Sequence, residues 1–152
     1  MITNRSPAYV ISLIHELRQE PVETECEERG SGWDKVATQV EQKRLPAPLF
    51  EVGDGWTCVT MFDRIPLAKM SSGDRVRAVY LHACLQHANG GYVTNSSIRQ
   101  RFGIEARNSA TASRLIKEAV RAKVIAPYDV DAAPKLMQYV PVWAFPDRTA
   151  GT

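Results

Sequence analysis

Polar and basic side chains of kinds that bind nucleic acids are concentrated in the second half of the chain. Arginine can donate two parallel hydrogen bonds to guanine, and asparagine can pair with adenine. Lysine and arginine also bind backbone phosphates, which positions a protein without selecting a sequence. The residues that we expect to contact bases or phosphates are Ser96, Ser97, Arg107, Asn108, Ser109, Thr111, Arg114, Lys117, Arg121 and Lys135.

A helix predicted over residues 109–122 would place several of these side chains on one outer surface. Its apolar residues recur at helical spacing and form a stripe that faces a core: Ala112, Leu115, Ile116, Ala119 and Val120. Thr111, Arg114, Lys117 and Arg121 then point away from that core. Asn108 or Ser109 is expected to cap the helix through a side-chain oxygen. An ordinary solvated surface helix has the same pattern, so the neighbouring elements must decide between the two interpretations.

The neighbouring elements favour a winged helix-turn-helix. A helix is predicted over residues 74–87, with Ser72 as its cap. A short helix follows, in which Ile98 and Phe102 lie one turn apart and Gly103 ends the helix. After residue 122, a strand starting at Val124 and a partner over residues 137–143 would form the wing, with its tip at residues 129–135. In such a module the second helix of the pair enters the major groove.

The first part of the chain is expected to be a smaller unit. Helices are predicted over residues 9–17 and 33–43, and a β-hairpin over residues 49–52 and 56–62 turns at Gly53-Asp54-Gly55. The three tryptophans, Trp33, Trp56 and Trp143, are expected to lie in the core. The chain is therefore predicted to be α+β, with a helix and β-hairpin segment at 1–70, a winged helix at 71–145 and a disordered tail at 146–152.

Charge is divided unevenly between these parts. Residues 1–70 carry 8 Lys/Arg and 11 Asp/Glu, a net charge of −3, whereas residues 71–152 carry 11 and 6, a net charge of +5. A basic unit favours a polyanionic partner, so we expect duplex DNA. The three cysteines, Cys26, Cys58 and Cys84, fit a reducing cytoplasm better than a disulfide framework. No apolar run is long enough to cross a bilayer, so no membrane partner is expected.

Other chemistries have little support in the sequence. His82, Cys84 and His87 do not share one helical face, so they are not expected to form a metal site. Residues 29–32, Arg-Gly-Ser-Gly, precede a helix and could contact a phosphate, but the Gly-Lys-Ser/Thr end of a P-loop is absent. The sequence lacks the common catalytic motifs. We therefore expect neither catalysis nor a cofactor.

Three segments carry a resemblance to a known family. They are Glu28-Arg29-Gly30-Ser31-Gly32, Leu45-Pro46-Ala47-Pro48, and the start of the predicted recognition helix at residues 108–114. Together they resemble the carboxyl-terminal region of bacterial transcriptional regulators described as RecG-like, helicase-related or ATP-binding proteins (the Schlafen/Alba-like family). The resemblance extends from about residue 27 to residue 143. The chain departs from the family pattern at Lys123, where a helix-ending glycine is common.

The resemblance implies a larger protein than this chain. Relatives usually have an upstream Schlafen/Alba-like DNA-binding domain and a degenerate ATPase fold of the histidine-kinase type, in which the Gly-Ser-Gly turn borders the nucleotide site. The chain would hold only the tail of that fold, as a fragment or a shortened gene product. We expect a bacterial regulator that binds duplex DNA, on two half-sites if it forms a homodimer. The alternatives are a winged-helix module for protein interaction or dimerisation, and the regulatory tail of an ATP-dependent, helicase-related enzyme.

Overall fold

The computed structural model describes residues 31–133 and 135–144, which form helices and small antiparallel sheets of an α+β protein. The chain divides into two compact units between Arg64 and Ile65, whereas the sequence predicts a boundary at residue 70. Three predicted features lie outside the described residues: the helix over residues 9–17, the first two residues of the Arg-Gly-Ser-Gly segment (29 and 30), and the tail at 146–152.

The amino-terminal unit contains the predicted helix and hairpin. Helix α1 spans Ser31–Gln42, and strands β1 (Leu49–Gly53) and β2 (Trp56–Thr60) pair in antiparallel register. The Trp33 and Phe50 rings lie 4.8 Å apart, so α1 contacts β1. A Cβ atom on Gly53 would lie 2.3 Å from the Trp56 ring, which explains a glycine at that position.

The prediction that the tryptophans lie in the core is wrong. Trp33 is 36% exposed, Trp56 is 55% exposed and Trp143 is 53% exposed. Trp56 lies next to a hairpin turn in a sheet of only two strands, so few neighbours are available to cover its large ring. Hydrophobic type alone does not place a residue inside, because much of a folded protein's surface is apolar.

The carboxyl-terminal unit begins with the long helix α2, Ser72–Ala88. Its cap is Ser71, one residue before the predicted Ser72. The Asp74 amide donates to the Ser71 hydroxyl, and the Ser71 amide donates to the Asp74 carboxylate, so each side chain satisfies a backbone donor of the first turn. The Ser71 hydroxyl also donates to Asp74 at 2.7 Å and lowers the pKa of this carboxyl group.

Two further helices, α3 (Asn95–Phe102) and α4 (Ser109–Arg121), pack against α2 and against each other. The buried stripe of α4 consists of Ala112, Leu115, Ile116 and Ala119, as predicted, while Val120 is half-buried. Ile98 of α3 and Val79 and Tyr80 of α2 are fully buried. The core therefore lies among the three helices, and it leaves the outer side of α4 exposed.

A small sheet completes this unit. Strands β3 (Ile125–Pro127) and β4 (Tyr139–Pro141) are antiparallel, and Val93 forms a β-bridge with Tyr139 on the other side of β4. The Val93 and Tyr139 amides each donate to the other residue's carbonyl at 2.9 Å. The segment between α2 and α3 thus pairs with the hairpin, which the sequence analysis did not predict.

The second predicted strand is shorter than residues 137–143, because Val142–Ala144 forms a 3₁₀ turn after β4. The Trp143 indole nitrogen donates to the Tyr80 hydroxyl at 3.0 Å, and the Trp143 ring meets the His87 ring edge-on at 5.2 Å. These contacts attach the end of the hairpin to α2.

The four α helices of the described residues end in the same way. A residue with left-handed backbone follows each helix: Arg44 (φ 55°), Gly90 (φ 73°), Gly103 (φ 67°) and Lys123 (φ 57°). The amide of the next residue donates back to a carbonyl five positions earlier, as from Val124 to Ala119 at 3.2 Å. This is the Schellman motif, which usually has glycine at the left-handed position. Two of these helices are therefore followed by a basic residue, Arg44 or Lys123, in a backbone conformation that is unfavourable for any residue except glycine.

The Lys123→Gly variant is expected to raise the free energy of unfolding of this unit by about 0.5–1 kcal/mol. A left-handed backbone costs a non-glycine residue roughly 1–2 kcal/mol, and the greater flexibility of unfolded glycine offsets part of that gain. Urea unfolding would measure the change. The control is Lys117→Gly, inside α4, which should lose about 1 kcal/mol. A lower free energy of unfolding in both variants would contradict the explanation that the left-handed backbone of Lys123 is unfavourable.

Candidate nucleic-acid interface

Helix α4 has a continuous exposed basic face. Arg114, Lys117 and Arg121 are exposed and are spaced three and four residues apart, so they lie on one side of the helix. Lys117 and Arg121 form no ion pair with any residue that the structure describes. We call these three residues the basic face of α4. Their charge is available to a ligand that approaches from outside.

The acidic residue of α4, Glu118, is paired with an arginine of α2. Glu118 accepts hydrogen bonds from Arg75 of α2, from Nε to Oε2 at 3.0 Å and from Nη2 to Oε1 at 3.1 Å. Arg75 Nη1 also donates to the Met70 carbonyl oxygen at 2.9 Å. This two-point pair joins α2 to α4, and the arginine offsets the negative charge of Glu118, which lies one helical turn from Arg114 and Arg121.

Within α4, one arginine is oriented by a neighbouring hydroxyl. Arg114 Nη2 donates to the Thr111 Oγ1 atom at 3.0 Å. Arg114 is exposed and Thr111 is half-buried. Both were predicted to contact DNA, and the structure gives them different positions: Arg114 points outwards, and Thr111 lies where it can hold the guanidinium group.

The residues before α4 are exposed but do not form the expected cap. Asn108 occupies the cap position, as predicted, yet its side chain makes no capping hydrogen bond. Asn108 and Ser109 both face solvent. The Arg107 Nε atom lies 2.5 Å from Glu105 Oε2, and both side chains are mostly exposed. The charge of Arg107 is therefore partly offset, although solvent screens such a pair.

The two serines predicted to contact phosphate at the start of α3 differ in their surroundings. Ser97 closes a capping box with Thr94: the Thr94 amide donates to Ser97 Oγ at 2.9 Å, and the Ser97 amide donates to Thr94 Oγ1 at 3.1 Å. The Ser97 hydroxyl also donates to the Thr94 carbonyl oxygen at 3.1 Å. Ser96 is exposed. Ser96 can reach a ligand directly, whereas the Ser97 hydroxyl already serves the helix end.

A cluster that the sequence analysis missed joins α3 to the first turn of α4. The Asn95 side-chain nitrogen donates to the Ser109 carbonyl oxygen and to the Ser113 hydroxyl, both at 2.9 Å. The Asn95 side-chain oxygen accepts from Arg99 Nε at 3.1 Å. We call Asn95, Arg99, Ser109 and Ser113 the Asn95 cluster. Asn95 and Arg99 are one turn apart in the sequence, but their partners on α4 depend on packing that no local pattern reveals.

The loop between β3 and β4 is more apolar and acidic than basic. Lys135 is exposed there, together with Asp129 and Asp131. Exposed apolar side chains also lie in or beside this loop: Tyr128 (43%), Val130 (56%) and Leu136 (72%). A loop of this composition is poorly suited to a phosphate backbone, because the two carboxylates outnumber the charge of Lys135.

Metal ligation has no support in the described part of the chain, where no group of three or more His, Cys, Asp or Glu residues lies together. Burial raises the pKa of the Cys84 thiol to about 12, so this thiol remains protonated at neutral pH. Thiols bind metals as thiolates, which makes Cys84 a poor ligand. Among the described helices, none combines the length and the apolar character that a membrane span requires.

The chain was compared with models of protein families, with curated proteins and with solved structures, and none of them matches it. The functional interpretation therefore depends on the geometry of the basic face, the Asn95 cluster and the small sheet.

Proposed function

We propose that the carboxyl-terminal unit is a winged helix that binds duplex DNA, as part of a bacterial transcriptional regulator. The observation that carries the proposal is the basic face of α4, whose three cations are exposed while the opposite side of the helix is buried. An exposed helix of this kind fits the width of the major groove. Arg114 would meet base edges, and Lys117 and Arg121 would meet phosphates.

The order of elements supports the winged-helix assignment. Helix α2 is followed by the strand residue Val93, then by helices α3 and α4, and finally by the β3–β4 hairpin. In a winged helix, the strand between the first two helices pairs with the last strand of the hairpin. The bridge between Val93 and Tyr139 has that pairing. We also propose that the chain is related to the RecG-like, helicase-related regulators that its sequence resembles.

Charge in this unit also favours a polyanion. Residues 65–144 include 11 Lys/Arg and 5 Asp/Glu. Three of those acidic residues are paired with arginines: Asp74, Glu105 and Glu118. In this proposal the chain acts in the cytoplasm, needs no cofactor and catalyses no reaction. A homodimer would bind two half-sites on the DNA.

The alternative function is a protein-interaction module. It is favoured by the exposed apolar residues of the β3–β4 loop, Tyr128, Val130 and Leu136, which suit a protein surface better than a phosphate backbone. In that case the loop, and not the basic face of α4, would carry the function. Binding to DNA separates the two proposals directly.

The Lys117→Ala variant is expected to bind every duplex more weakly and to flatten the salt dependence. Each phosphate contact contributes about 0.9 to the slope of log K against log salt concentration. Fluorescence anisotropy with a random-sequence 20-base-pair duplex, over a salt series, would measure that slope for the wild type and the variant. Lys69→Ala is the matched control, because it removes one exposed lysine charge from the 3₁₀ turn Leu67–Lys69, which precedes α2 and is not part of α3 or α4.

The comparison with the control decides the proposal. A slope that falls by about 0.9 in Lys117→Ala, but not in Lys69→Ala, supports binding through α4. Equal changes in the two variants would indicate unspecific attraction to a basic protein. A folded wild-type chain that binds no duplex at low salt would overturn the DNA-binding function and leave the protein-interaction module.

A further inference from the structure

We propose that Arg99 of α3 binds a DNA phosphate and that Asn95 is the residue that positions it. This inference rests on the proposed DNA binding and extends it to a side chain outside α4. It is carried by the hydrogen bonds of the Asn95 cluster, which fix one edge of the Arg99 guanidinium group and leave its other edge open.

The Asn95 amide group has a single satisfactory orientation. Its nitrogen has two hydrogens, and they are donated to the Ser109 carbonyl oxygen and the Ser113 hydroxyl. Its oxygen accepts from Arg99 Nε. Rotating the amide by half a turn would set its oxygen against the Ser109 carbonyl oxygen and its nitrogen against a guanidinium donor, so both contacts would become repulsive. The network therefore determines how Asn95 presents its oxygen to Arg99.

Arg99 retains the donors that a phosphate requires. Only its Nε atom is hydrogen-bonded, and the two Nη atoms, with four hydrogens, have no partner among the residues that the structure describes. A guanidinium group binds phosphate oxygens through two parallel N–H donors. Because Nε is already held by Asn95, the pair of Nη atoms at the end of the group is the edge left for this interaction.

The Asn95 cluster lies beside the basic face of α4, on the side of α3. Ser113, which contacts Asn95, lies one helical turn before Lys117 on the flank of α4 that faces α3. Glu118 marks the opposite flank, where α4 contacts α2. Arg99 therefore adds a cation on the α3 side, so that a DNA backbone passing the basic face would meet a second element of the fold.

The test is a double-mutant cycle on the complete chain, with the same 20-base-pair random duplex and salt series. Arg99→Ala is expected to lower the slope by about 0.9 and the affinity about eightfold at 0.1 M salt, the counterion effect of one phosphate. Arg99→Lys should keep the slope, because the charge remains. Asn95→Ala should keep the slope and lower the affinity about two- to twelvefold, as the arginine loses its fixed orientation.

The double variant separates positioning from a structural role. If Asn95 acts through Arg99, Asn95→Ala should not weaken binding further in the Arg99→Ala background. Additive losses would show that Asn95 supports α4 instead and would overturn the positioning role. An unchanged slope in Arg99→Ala, with a flattened slope in Lys117→Ala, would overturn the Arg99 contact alone. Absence of wild-type binding would overturn the proposed function, and the Arg99 inference with it.

Discussion

The Ile98→Ala variant is expected to lose about 2–5 kcal/mol of unfolding free energy in the carboxyl-terminal unit. Ile98 is fully buried, and it lies in a helix of only eight residues. The side chain fills the space where α3 packs on α2 and α4. The variant loses the favourable free energy of transferring these carbon atoms from water to the core. It also leaves a cavity that such a short helix can close only partly.

Unfolding should be followed by Trp143 fluorescence in a background with Trp33 and Trp56 replaced by phenylalanine, so that the signal reports on this unit. Ile98→Val, which removes one methyl group, should lose about 0.5–1.5 kcal/mol. Gln100→Ala is the control on the same helix, since Gln100 is exposed and its loss should stay within about 0.5 kcal/mol. A loss below 1 kcal/mol in Ile98→Ala would contradict the described packing of α3.

The predictions that the structure confirms depend on local patterns. The buried stripe of α4 follows from apolar residues repeated at helical spacing, and Gly103 ends α3 in the left-handed conformation that its type allows. The hairpin turn at Asp54-Gly55 likewise contains a glycine, Gly55, at the position with a positive φ. In each case, the residues that determine the structure are close neighbours in the chain.

The features that the sequence did not reveal depend on distant contacts. Val93 pairs with Tyr139, and Asn95 reaches Ser113, only because the packed helices bring these segments together. Lys123 stands where the family pattern commonly has glycine, and it takes the left-handed conformation that the glycine would take. Here the hydrogen bonds at the end of α4 outweigh the preference of lysine for a negative φ. The sequence alone does not show which of these two effects is larger.

The Arg114→Ala variant should distinguish base reading from phosphate binding. An arginine that donates two hydrogen bonds to guanine contributes about 1–3 kcal/mol of discrimination against the wrong base, roughly 5- to 150-fold in affinity. Arg114 suits this role because Thr111 Oγ1 accepts from its Nη2 atom and holds the guanidinium group on the exposed side of α4. A preoriented side chain loses less freedom when it binds.

The measurement begins with selection of a preferred duplex from a random library by the wild-type protein, followed by single changes at each base pair. Arg114→Ala should lose its preference at one base pair and bind altered duplexes almost as well as the selected one. Thr111→Val, which keeps the shape but removes the hydroxyl acceptor, should reduce the preference at that same base pair. Lys117→Ala should weaken all duplexes equally, because phosphates are the same in every sequence. Equal losses on every duplex after Arg114→Ala would assign Arg114 to the backbone and leave base recognition to Asn108 and Ser109.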